Sequence, residues 1–162
     1  MAVNEPFKFN HHEYRIEPIK WQTLRPGNII RLQLNDVIPA DMLLLYSSDR
    51  QKICFVETAN LDGETNLKQR ETILAHDGRP FIIDAKFNYT LHAERPNNDL
   101  SSFHGYLAHF DGDDKKTVPV KMKNLLLRGC VLRNTDFVIG LVVYAGNETK
   151  ALVDLMIRLF LT

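Results

Sequence analysis

Ile29-Ile30-Arg31-Leu32-Gln33-Leu34, Met42-Leu43-Leu44-Leu45-Tyr46 and Ile53-Cys54-Phe55-Val56-Glu57-Thr58 are three short apolar runs in close succession. The first alternates, as a half-buried strand does. The second is apolar throughout and of the length of a strand buried on both faces. Leu24-Arg25-Pro26-Gly27-Asn28 ahead of them is a turn, because proline presets one backbone angle and glycine tolerates the next. Pro39 interrupts the chain between the first run and the second. Short strands punctuated by Gly/Pro turns, with little helical periodicity, predict a mainly β domain: a distorted jelly roll or β-sandwich with minor helix.

Working outward, strong patterning returns at Asn124-Leu125-Leu126-Leu127-Arg128-Gly129-Cys130-Val131-Leu132-Arg133-Asn134, followed by a strand from Phe137 to Tyr144. Leu43 to Leu45 and Leu125 to Leu127 are core. Between these regions Phe81-Ile82-Ile83 and Tyr89 to Ala93 read as strands. His76 to Pro80, Arg95 to Asp99 and Asp111 to Lys116 read as turn or loop clusters. Residues 1–20 read as a linker arm or edge strand and 21–150 as the domain. Residues 151–162 form an amphipathic tail, where Leu152, Leu155, Met156 and Leu159 recur at the spacing of a C-terminal helix.

Twenty basic residues balance twenty acidic ones. That balance gives no electrostatic reason to expect nucleic acid as a partner. Cys54 and Cys130, far apart in apolar surroundings, are read as buried thiols in a reducing compartment rather than a disulfide or zinc pair. Asn88-Tyr89-Thr90 and Asn147-Glu148-Thr149 are glycosylation sequons, but no signal-peptide pattern opens the chain, so both are expected to be bare. The longest apolar run, Val138 to Gly146, falls well short of the roughly 18 to 20 residues that cross a bilayer.

The densest polar constellation is Thr58-Ala59-Asn60-Leu61-Asp62-Gly63-Glu64-Thr65-Asn66-Leu67-Lys68, a polar loop directly after a strand. Asp62-Gly63 supplies a tight turn that pushes Glu64 outward, where a carboxylate can orient water or take its proton. Thr65 and Asn66 add neutral hydrogen-bonding groups, and Lys68 adds a cation able to meet phosphate or a carboxylate. By chemistry alone such a tetrapeptide is more often a solvated turn than a site. A calcium loop fails: with Gly63 at its sixth position, Thr58 and Gln69 fall where acidic ligands are required. His104 and His109, five apart in a loop-like stretch, lack a clear third ligand, and no phosphate-cradling or nucleophile-elbow motif occurs. Asp41 is read as a turn-capping group, and Asn97 and Asn98 as serving turn geometry.

Asp62-Gly63-Glu64-Thr65-Asn66-Leu67-Lys68 resembles the actuator-domain signature of the type IV, phospholipid-transporting P-type ATPases. Pro39-Ala40-Asp41, Glu94-Arg95-Pro96-Asn97, Phe103-His104-Gly105, Asn124 to Cys130, Leu132-Arg133-Asn134-Thr135, and Gly146 with Thr149-Lys150 resemble further motifs of that family, in order. The likeness covers residues 21 to 150. Gly27-Asn28 departs from the family's usual Gly-Asp, and the tail from Ala151 is more apolar than the expected linker toward the next membrane helix.

The resemblance implies a cytosolic domain of an integral membrane pump, with no cofactor of its own. ATP and Mg2+ would serve the other domains. Its partners would be the pump's phosphorylation and nucleotide-binding domains, the phospholipid substrate and an accessory subunit. Glu64 would position and deprotonate the water that attacks an aspartyl phosphate. Gly63 would allow close approach, while Asp62 and Thr65 would shape the loop. Asn66, Lys68 and Arg128 are candidates for interdomain contacts, with Arg128 equally readable as a brace for the Gly129 turn. The isolated domain is expected to be inactive. The alternative is a non-catalytic β-sandwich binding module that docks a regulatory protein or a lipid headgroup.

Overall fold

The computed structural model describes residues 7–10, 15–73, 89–111 and 113–151. In chain order its strands are β1 (Phe7–Asn10), β2 (Arg15–Pro18), β3 (Ile29–Gln33), β4 (Asp41–Ser47), β5 (Ile53–Glu57) and β6 (Lys68–Glu71). They continue as β7 (Tyr89–Ala93), β8 (Gly105–Asp111), β9 (Asp114–Val120), β10 (Leu125–Leu126), β11 (Val131–Arg133) and β12 (Phe137–Tyr144). A single turn of α-helix, α1 (Ala59–Asp62), separates β5 from β6. The fold is mainly β, as the sequence predicts.

Among the described residues six strands form one sheet in the order β10-β4-β12-β3-β1-β2, beside two three-stranded sheets, β11-β5-β6 and β7-β8-β9. Pairing is antiparallel, with β12 central between β3 and β4. The β1–β2 hairpin extends the edge beyond β3. One buried cluster draws on all three sheets: Leu32, Met42 to Leu45 and Val138 from the first, Cys54, Val56 and Leu132 from the second, Leu107 and Val120 from the third. β4 is buried along almost its whole length, which explains why its sequence is a continuous apolar run. Gly140 sits at a register shift of β12 against β4, where an added Cβ would collide with the Met42 Cε and stand 3.2 Å from the Leu43 carbonyl oxygen. A larger residue there would have to displace the end of the Met42 side chain and press on the Leu43 carbonyl, so glycine eases the approach of the two strands.

Three departures from the sequence reading have physical causes. Asp111 to Lys116, read as a loop, is mostly strand: Asp114, Lys115 and Lys116 belong to β9, which pairs with β8 from Val120 to Asp114. β9 is an edge strand exposed at every residue but Val120, so no alternation marks it, and Pro119 sits on it as edges permit. His109, placed in a loop-like stretch, lies on β8 opposite Lys116. Ala59 to Asp62, read as loop, is helical, too short to show a period. Phe81 to Ile83, His76 to Pro80, Asn88, His11 and His12, and the tail beyond Ala151 lie outside the described residues.

Candidate active site

α1 and β6 set the geometry of the polar loop. β5 delivers the chain to buried Thr58, and β6 carries it back antiparallel, with Lys68 opposite Val56. Between them α1 ends on Gly63, whose N–H donates to the Ala59 carbonyl oxygen at 3.0 Å. Gly63 holds φ at +71°, the left-handed conformation that closes helices and favours glycine. No heavy atom lies within 4 Å of where its Cβ would stand, so the requirement there is backbone conformation alone.

Asp62 is the organiser of the loop. Its carboxylate accepts hydrogen bonds from the Thr58 hydroxyl at 3.0 and 3.1 Å, from the Glu64 backbone N–H at 3.0 Å, and from the Lys68 ammonium at 2.6 Å. The Lys68 bond, followed by the Glu64 N–H, pulls the Asp62 carboxyl down to about 2 from an ordinary 3.8. Glu64 points outward with its side chain 60% exposed, and its Oε2 lies 3.1 Å from the same Lys68 ammonium. Thr65 and Asn66 follow, both exposed. Asp62, Gly63, Glu64, Thr65, Asn66 and Lys68 are thus one surface group on a braced turn, whereas Arg128 belongs to the turn beneath it.

That lower turn ties the loop to the core. The Asn60 side-chain amide donates to the Gly129 carbonyl oxygen at 3.1 Å, and Leu61 packs beside Gly129. The Arg128 guanidinium donates to the Gly146 carbonyl oxygen at 3.1 Å and lines a cleft of about 330 Å3 with Trp21, Pro39 and Gly146. Its backbone N–H donates to Asp41 Oδ1 at 3.0 Å, and the Lys150 backbone N–H donates to Asp41 Oδ2 at 2.7 Å. Burial raises the Asp41 carboxyl above its ordinary value, and these two N–H bonds oppose that rise. Asp41 is therefore a buried cross-link between three segments, more than the local turn cap its position suggests.

The Lys150 side chain is fully buried. Its ammonium donates to Asn97 Oδ1 at 2.7 Å and to the Asp99 carbonyl oxygen at 2.8 Å, with Glu94 Oε1 at 3.4 Å. Sequence reasoning missed this cluster, because Asn97 reads as a turn residue and a lysine reads as solvated. The signal available was the co-occurrence of Pro39-Ala40-Asp41, Glu94-Arg95-Pro96-Asn97 and Lys150, which the fold brings together. Among the described residues no group of three His, Cys, Asp or Glu side chains is placed to hold a metal ion. Nor is any helix among them long and apolar enough to cross a membrane.

No family model matches the chain. Over 135 residues, 83% of this chain, it is 49% identical to phospholipid-transporting ATPase VD of Homo sapiens, covering 9% of that protein. The chain belongs to the phospholipid-transporting P-type ATPases. Phospholipid-transporting ATPase VA of Homo sapiens is 45% identical over 90% of this chain, and ATPase IC of Mus musculus is 46% identical over 84%. The chain spans 9–11% of the length of these curated relatives, so it corresponds to one part of a phospholipid-transporting ATPase. In fold it is similar to a crystal structure of a zinc-transporting PIB-type ATPase in an E2.Pi state. That likeness has a TM-score of 0.52 and 13% identity, over 96% of this chain and 16% of the other.

Proposed function

We propose that this chain is the actuator domain of a phospholipid flippase, and that its Asp62-Gly63-Glu64-Thr65 loop drives hydrolysis of the pump's aspartyl-phosphate intermediate. The observation that carries the reading is the Glu64 carboxylate, 60% exposed on a turn whose backbone Asp62 and Gly63 fix. A general base must be held rigidly and yet reach a substrate outside its own domain. Glu64 takes a proton from water as the water oxygen bonds to phosphorus. The bond from phosphorus to the aspartyl oxygen breaks, and the aspartate leaves as carboxylate. Gly63 permits close approach, Asp62 holds the turn, and Thr65 adds a hydroxyl at its rim. Asn66 and Arg128 face the neighbouring domains.

In this reading ATP and Mg2+ serve the phosphorylation and nucleotide-binding domains, and the domain works on the cytosolic side. Dephosphorylation is coupled to moving a phospholipid from the outer to the cytosolic leaflet, with an accessory subunit as a further partner. The test is Glu64→Gln in the full-length pump that carries this domain. Phosphoenzyme forms from ATP and accumulates, and lipid substrate no longer speeds its loss. Normal lipid-stimulated turnover in that variant contradicts the assignment.

A further inference from the structure

We propose that Lys68 is the phosphoryl-sensing residue of this loop: its ammonium holds Glu64 while no phosphoryl group is present and moves to a phosphoryl oxygen when one arrives. The inference rests on the reading of the loop given above and adds a role for one more side chain.

Three observations support it. Lys68 opens β6, and its backbone is fixed by pairing with Val56, so only the side chain is free to swing. Its two carboxylate partners are unequal. Asp62, at 2.6 Å, is itself held by Thr58 and the Glu64 N–H, whereas Glu64, at 3.1 Å, is twice as exposed as Asp62, 60% against 31%. Asp62 is therefore the anchor and Glu64 the exchangeable partner, because an exposed ion pair contributes little and separates readily. The Asp62 hydrogen bond also raises the Lys68 ammonium above its ordinary 10.5, so it stays protonated throughout.

The consequence for the reaction follows from the donor inventory. An ammonium has three donor hydrogens, and a phosphoryl group offers several charged acceptor oxygens, for which charge-assisted bonds are strong. While Lys68 rests on Glu64 Oε2, that oxygen faces the ammonium instead of an incoming water. Once the ammonium shifts to a phosphoryl oxygen, Glu64 is released to the attacking water, and the cation offsets charge on the phosphoryl group. The base is thus uncovered only where there is phosphate to hydrolyse. The proton from water ends on Glu64, the aspartate leaves as carboxylate, and Lys68 neither gains nor loses one.

The experiment compares Lys68→Met, Lys68→Arg and Glu64→Gln in the full-length pump, reading phosphoenzyme decay and inhibition by orthovanadate. Lys68→Met should raise the half-inhibitory orthovanadate concentration about tenfold and slow decay by a similar factor, and Lys68→Arg should restore most of both. Lys68→Gln replaces the methionine variant if that one fails to phosphorylate. Unchanged orthovanadate sensitivity in Lys68→Met overturns the proposal even if decay slows, since a merely structural lysine produces that pattern. Faster decay overturns it too, because the lysine would then only obstruct Glu64. Wild-type decay in Glu64→Gln refutes the reading of the loop itself, a result distinct from either of these.

Discussion

The Lys150 ammonium, on a side chain with no exposed surface, donates to Asn97 Oδ1 at 2.7 Å. With the Asp99 carbonyl and Glu94 it fixes the stretch from Glu94 to Asp99, while the Lys150 backbone N–H is spent on Asp41. Glu94 responds as a paired carboxylate should. Burial pushes its pKa up, but bonds from Asn97 and Lys150 outweigh that and hold it below its ordinary value.

Lys150→Met keeps the buried stem and deletes the charge, taking from Glu94, Asn97 Oδ1 and the Asp99 carbonyl oxygen the ammonium they share. Breaking such a cluster from one side should cost about 3 kcal/mol. Thermal unfolding of the chain should register that loss as a Tm lower by roughly 10 °C. A change under about 1 kcal/mol would show that the cluster is not a stabilising cross-link.

Asp62 gives a pH prediction whose sign is fixed by its depressed pKa. A carboxyl at about 2 in the folded chain and 3.8 unfolded contributes stability that is fully present above pH 3.8 and is lost as pH falls through 2. The carboxyl carbon of Asp62 in an NMR titration should therefore move with a midpoint near 2. In Lys68→Met the midpoint should rise toward 3.8, because the largest cause of the depression is gone. An unmoved midpoint would mean that Lys68 is not the principal partner.

Burial pushes the Cys54 and Cys130 thiols up to about 12, and both are free. Thiolate, not thiol, is the nucleophile, so neither should react with iodoacetamide at pH 8 in the folded chain. Mass spectrometry should find both alkylated only after denaturant is added. Rapid alkylation of either in the native chain would contradict its buried placement.

Within this chain the left-handed backbone is what Gly63 is needed for, since space for a Cβ is open. Gly63→Ala should cost about 1 kcal/mol of stability, and Gly63→Asn less, because asparagine tolerates that conformation. Equal stability for glycine and alanine in chemical denaturation would remove the argument that this turn is held in a conformation only glycine adopts easily.

How much of this was legible depended on whether the signal was local. Asp62-Gly63 announces a turn in two residues, and Glu64 after it is exposed as the sequence implies. β4 and β12 are readable because burial on one or both faces leaves an apolar run. β9 hides because an edge strand of Asp114-Lys115-Lys116-Thr117 has almost nothing to bury. The sharing of Lys68 between Asp62 and Glu64 needs the return of β6 beside β5, and the Asp41–Lys150–Asn97 cluster needs three segments far apart in sequence. A buried lysine has no sequence signature, because its partners are supplied only by the fold.

In the proposed function Glu64 positions and deprotonates the water that attacks the aspartyl phosphate. The most direct measurement of that role is a chase of radiolabelled phosphoenzyme in the full-length pump, wild type against Glu64→Gln, with and without phospholipid. The amide removes no buried contact, so fold and phosphorylation from ATP should be kept, with stability changed by well under about 1 kcal/mol. It cannot take a proton from water, so decay should slow by roughly a hundredfold or more and lose its response to lipid. Decay at the wild-type rate would contradict the account and leave Asp62-Gly63-Glu64-Thr65 as only a turn.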